Sequence, residues 1–179
     1  MEKDTLLIVL LTEEQDVACH YPPSFGRLQV EYVVASGNSF AVAEQCRALN
    51  WHNYRYRLLA GCGEVCDKLL RLLLDSKFAC TAAFMQAPRF SCYQSWGKDE
   101  YTVLLENDPP LTFSCGIGDI AAGDAVRDFS AIGSEYGLDI RIIWNDGDAA
   151  YPPEHCRLIE EFVAESIAIT NRSTSGRVD

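Results

Sequence analysis

No apolar run in this sequence approaches the ~20 residues that a membrane-spanning helix needs. The first such run, residues 6–11, follows Glu2, Lys3 and Asp4 and lacks the layout of a secretion signal. A cytoplasmic protein with no membrane partner is therefore expected. Basic residues are also scarce: 15 Lys and Arg stand against 26 Asp and Glu, a formal charge of −11. Such a surface repels phosphate backbones, which excludes nucleic acid as an expected partner. It leaves room for a basic protein partner, as an immunity-type inhibitor of a toxin would have, and only the charge supports that reading. Histidine occurs three times in 179 residues. Cys62 and Cys66 form a C-x3-C pair with no second pair and no nearby histidine, so neither a metal nor a cofactor is expected. Long linkers and internal repeats are missing too. One domain over residues 1–170, followed by a disordered tail at 171–179, is the expected organisation.

What is present is globular: 48% hydrophobic and 23% charged residues. Of the eight cysteines, Cys46, Cys66, Cys80 and Cys115 sit in apolar segments and read as reduced, small hydrophobes. Residues 5–11 and 30–35 read as buried strands, and Ser39 as the cap of a helix running to residue 49. Tyr56-Arg57-Leu58-Leu59-Ala60 is a strand, Gly61-Cys62-Gly63 a sharp turn, and 64–75 a helix apolar on nearly all sides. Residues 79–85, 101–105 and 138–144 complete the expected strands. Asp124 is placed as the cap of a helix to about residue 136, and Pro152-Pro153-Glu154 as the start of the last helix. Alternating strands and helices predict an α/β fold with a mainly parallel sheet and helices on both faces.

In that order of elements the chain resembles the thioesterase domains of nonribosomal peptide and polyketide synthesis, which are α/β-hydrolases. The resemblance covers roughly residues 5–169. It rests on 17–28, similar to the helix after the first core strand; on 39–59, similar to the lead into the nucleophile; and on Gly147-Asp148-Ala149 with 151–167, similar to the histidine loop and closing helix. It implies a minimal, lidless hydrolase-like fold and a carrier protein or synthase as partner. It also assigns positions. The nucleophile falls on Cys62, whose sulfur is expected to face a cleft if the protein is an enzyme. A helix N-terminus lowers a thiol pKa there, whereas Glu64 raises it.

The other parts depart from the family. The oxyanion loop reads Thr12-Glu13-Glu14-Gln15-Asp16, with carboxylates where developing negative charge would sit. Gln86 stands at an acid position; it can hold an imidazole but cannot stabilise its cation. The base position falls on Ala149. His20 is the one histidine placed to reach Cys62, since His52 lies on a connector and His155 inside the last helix. A second alignment makes Asp148 the acid, in Ile143-Trp144-Asn145-Asp146-Gly147-Asp148. Only about 15 residues, 86–100, are available for a lid. The reading is a non-catalytic, thioesterase-like binding protein, with a Cys62-dependent acyl-transfer enzyme as the alternative. A rival motif, Gly116-Ile117-Gly118-Asp119-Ile120-Ala121 after a strand, has the outline of a dinucleotide turn, but Asp119 and Asp124 lie where phosphates would bind.

Overall fold

The computed structural model describes residues 3–13, 20–75, 78–147 and 150–175. Six strands form one sheet: β1 (Thr5–Leu11), β2 (Leu28–Val34), β3 (Tyr56–Cys62), β4 (Ala82–Gln86), β5 (Leu111–Gly116) and β6 (Ile140–Asn145). All neighbours pair in parallel, in the order β2-β1-β3-β4-β5-β6. Among the described residues five α-helices connect or close them: α1 (Ser39–Ala48), α2 (Val65–Leu73), α3 (Lys98–Asn107), α4 (Ile120–Glu135) and α5 (His155–Ser175).

The strands are nearly continuous apolar runs because both faces of a parallel sheet are covered. In β1, Leu6, Ile8 and Leu10 join the core beneath α1 to α4, while Leu7 and Val9 join the core beneath α5. One face thus carries four helices and the other carries α5, whose Leu158, Ile159, Phe162 and Val163 pack on Leu58, Ala60 and Phe84. The α/β fold with helices on both faces is as the sequence predicts. Helix α2 buries Val65, Cys66, Leu69, Leu70, Leu72 and Leu73. It keeps a polar strip, in which Asp67 pairs with Arg71 at 2.9 Å and accepts the backbone N–H groups of Ser91 and Cys92.

Three expectations are corrected. Residues 101–105 are helical, and the fifth strand is β5. Tyr101-Thr102-Val103 favours a strand by residue type, but Tyr101 and Leu104 bury one helical face, and Gly97 N–H donates to Glu100 Oε2 at 2.8 Å to start the turn. Helix α4 begins before Asp124: Asp119 Oδ1 accepts from Ala122 N–H at 3.2 Å. Asn38, not Ser39, caps α1 by accepting from Ala41 N–H at 3.0 Å. Helix α5 runs to Ser175, and within it Asn171 Oδ1 accepts from Tyr56 Oη at 2.6 Å and from Arg55 Nη2 at 3.0 Å. No helix among the described residues is long and apolar enough to cross a membrane.

Candidate functional site

In an open parallel sheet the crevice lies at the carboxyl ends of the strands, where the chain order reverses. Here β1 has β2 on one side and β3 on the other, so the reversal falls between β1 and β3. A cavity of about 290 Å³ opens there, lined by Thr12, Gly63, Glu64, Arg89, Asp119 and Ala150.

The turn from β3 into α2 forms one wall. Strand β3 runs through Cys62, and the positive φ of the turn, +69°, belongs to Gly63. Gly63 N–H donates to Gln86 O and its carbonyl accepts from Arg89 N–H, each at 3.0 Å. A Cβ on Gly63 would meet nothing within 4 Å. A Cβ on Gly61 would lie 2.9 Å from Val65 Cγ1 and 3.4 Å from Leu69 Cδ1, so the glycine there permits the close crossing of strand and helix. A nucleophile elbow holds its nucleophile on the sharp, strained residue of such a turn, with small residues flanking it. Geometrically that residue is Gly63, one position beyond the one the sequence resemblance indicates, and Gly61 is the small residue two before it.

Cys62 points the other way, to the α5 side. It is 1% exposed, and its Sγ donates to Ala150 O at 3.6 Å. The expected cleft-facing sulfur is not observed. Burial pushes its pKa up to about 11; the Tyr151 hydroxyl and Arg89 oppose the rise, and Asp119 adds to it. A thiol in this setting is protonated at neutral pH.

Behind Cys62 lies a cluster that the sequence reading placed apart. Gln86 and His155 are both buried, and Gln86 Oε1 lies 3.3 Å from His155 Nδ1. With the amide oriented this way, Nδ1 carries the ring proton. His155 Nε2 and Gln86 Nε2 have no hydrogen-bond partner among the described residues. Burial, reinforced by His20, holds the His155 pKa down to about 3, so the ring is neutral. His20 stacks flat on Tyr151, with ring centroids 4.1 Å apart. Tyr21 and Tyr151 each meet His155 edge-on at 4.9 Å. The sequence places His155 inside a helix that begins at Pro152; the helix begins at His155 itself, whose side chain therefore lies at the carboxyl end of the sheet. Glu14, Asp148 and Ala149 lie outside the described residues.

Glu64, Arg89 and Asp119 are the charged groups lining the cleft, and the last two pair. Arg89 Nη2 lies 2.8 Å from Asp119 Oδ1 and 2.9 Å from Oδ2. Asp119 is 8% exposed and also caps α4, so the pair is tied to the scaffold. Sequence reasoning met Asp119 only as an obstacle to phosphate; the Gly-Asp pair directly before a helix was the available signal. Gly116 of the rival motif is explained by packing, because a Cβ there would come within 2.2 Å of Gly147 O. The segment after β4 forms no cover for the cleft: Phe90 and Tyr93 pack on Phe129 of α4. No metal-ligating cluster occurs among the described residues.

Comparison with known proteins agrees with this architecture. No family model matches the sequence, and no curated protein matches it. An uncharacterized protein from Bacillus cereus ATCC 10987 superposes with a TM-score of 0.75 at 12% identity, over 91% of this chain and 59% of that one. The chain thus spans less than two thirds of that protein. Est1E from Butyrivibrio proteoclasticus gives a TM-score of 0.64 at 11% identity, over 94% and 90% of the two chains. MGS-MChE2, an α/β-hydrolase enzyme from a sediment metagenome of the Mar Chica lagoon in Morocco, gives 0.56 at 12% identity, over 92% and 93%. The fold is that of an α/β-hydrolase.

Proposed function

We propose that this chain is a hydrolase-fold protein that does not turn over acyl esters or thioesters, and that it binds or supports a carrier protein or synthase. The observation that carries the first half is the β3–α2 turn. Its strained position is a glycine, and the neighbouring thiol is buried, protonated and directed away from the cleft. The buried imidazole behind the elbow, His155, is held by an amide rather than a carboxylate. General-base catalysis contributes about 10²–10⁴-fold and one oxyanion donor about 10²–10³-fold. Without an exposed nucleophile neither contribution is available. The partner is inferred from the sequence resemblance to thioesterase domains. Turnover of acyl-pantetheine thioesters by the purified protein, beside a Cys62→Ala variant, tests the catalytic half; a titration with a purified phosphopantetheinyl carrier domain tests the binding half. Hydrolysis well above background that disappears in Cys62→Ala would overturn the proposal and restore a cysteine acyl-transfer enzyme.

A further inference from the structure

At the amino-terminal edge of the sheet, opposite the Gly63 cleft, lies a second cavity of about 370 Å³. Arg55 and Arg57 bring two guanidinium groups to it, and Asp108 and Asp139 bring two carboxylates. None of the ion pairs among the described residues involves any of these four. Arg57 Nε is buried and has no hydrogen-bond partner among the described residues. A buried N–H left unpaired is costly, and a bound acceptor removes that cost.

Of the hydroxyls around this cavity, Thr81 Oγ1 accepts from Arg57 N–H at 2.9 Å, and two others donate within α5. Ser166 Oγ donates to Phe162 O at 2.7 Å, and Thr170 Oγ1 donates to Ser166 O at 2.9 Å. Recognition therefore falls mainly to the charged groups, with Arg57 the central cation, because Arg55 Nη2 already donates to Asn171 Oδ1 at 3.0 Å. A phosphate would meet both carboxylates, and a simple cation would meet both guanidiniums. A zwitterion satisfies both signs. A smaller cavity of about 90 Å³ adjoins this one, shares Pro110, Asp139, Ser166 and Ile169 with it, and is walled by Ala82, Leu111 and Phe162, with Thr112, Arg141 and Glu165 at its border. That volume is roughly three waters' worth, which suits a short aliphatic side chain.

We propose that this amino-terminal cleft binds a free α-amino acid with an apolar side chain. The ligand carboxylate pairs with Arg57, its ammonium lies against Asp108 and Asp139, and its side chain enters the smaller cavity. The site is independent of the Gly63 cleft and of any partner that cleft engages.

The test is calorimetric titration of the full chain with L-leucine, beside three analogues that each lack one recognised group: N-acetyl-leucine, isoamylamine and glycine. L-leucine is expected to bind, with each analogue weaker by about tenfold or more. Arg57→Gln is expected to abolish binding, and Asp139→Asn to weaken it by about tenfold. Should Arg57→Gln fail to fold, Asp108→Asn at the exposed rim is the second variant, with weakened binding expected. The proposal is overturned if L-leucine gives no binding, if an analogue binds as tightly as L-leucine, or if the folded variants bind it as the wild type does.

Discussion

Acidification titrates His155 in the unfolded chain but not in the folded one, and the consequence for stability has a definite sign. The ring is 1% exposed, and its pKa is held down to about 3 against an ordinary 6.5. Below that ordinary value the unfolded chain binds a proton that the folded site refuses. The unfolded state then binds more protons, so stability falls as the pH drops from 6.5 and levels off near the folded pKa of about 3. Each unit is about 1.4 kcal/mol. At about pH 4.5 this site alone removes about 2–3 kcal/mol, a substantial part of the ~5–15 kcal/mol that holds a domain together. Carboxylates titrate in the same window, so the measurement is a difference. His155→Gln retains a hydrogen-bonding group beside Gln86 and carries no titrating ring. Urea unfolding of both proteins at about pH 7 and about pH 4.5 should show the variant gaining about 2–3 kcal/mol on the wild type as the pH falls. A stability difference that stays constant across that interval refutes the buried, neutral histidine.

Three further outcomes are expected. At neutral pH, Cys62 should be alkylated far more slowly than the partly exposed Cys156, because a pKa of about 11 leaves about one thiolate in 10⁴; peptide mapping that finds Cys62 labelled first would contradict its burial. Gly61→Ala should destabilise by about 1–3 kcal/mol, since its Cβ meets Val65 Cγ1 at 2.9 Å; in a double-mutant cycle with Val65→Ala, denaturant melts should show the clash relieved by about 0.5 kcal/mol or more. Asp119→Ala should cost about 0.5–2 kcal/mol through the lost α4 cap, read as a lower urea midpoint, and should free Arg89 in the cleft.

The sheet was legible in the sequence wherever burial on both faces removed alternation, as in β1 and β3. It was misread at residues 101–105, where three strand-favouring residue types sit in a helix whose buried positions are three apart. Candidate site residues were harder to place. The bend depends on the φ of Gly63, and Gly61-Cys62-Gly63 offers two glycines that could take it, so the sequence does not show which residue carries the positive φ. The contact between Gln86 and His155 joins residues 69 apart in sequence. Gln86 was recognised as able to hold an imidazole, but which histidine reaches it depends on where α5 begins, and helix ends are the least determined feature of a pattern.

The uneven covering of the two faces bears on how the chain is made. Leu7, Val9, Leu58, Ala60 and Phe84 point to the face that α5 covers, and α5 comes last in the chain. During synthesis at about 5–20 residues per second, that half of the sheet is complete well before its helix has been translated. The opposite face gains α1 and α2 as each adjoining strand appears, so it is shielded progressively. The α5 face instead waits as a flat apolar surface, the kind that chaperones hold and that aggregates form on. Cells making this protein therefore face their greatest risk in the interval before residues 155–163 emerge, and substitutions in α5 should lower soluble yield by more than their cost to the finished fold.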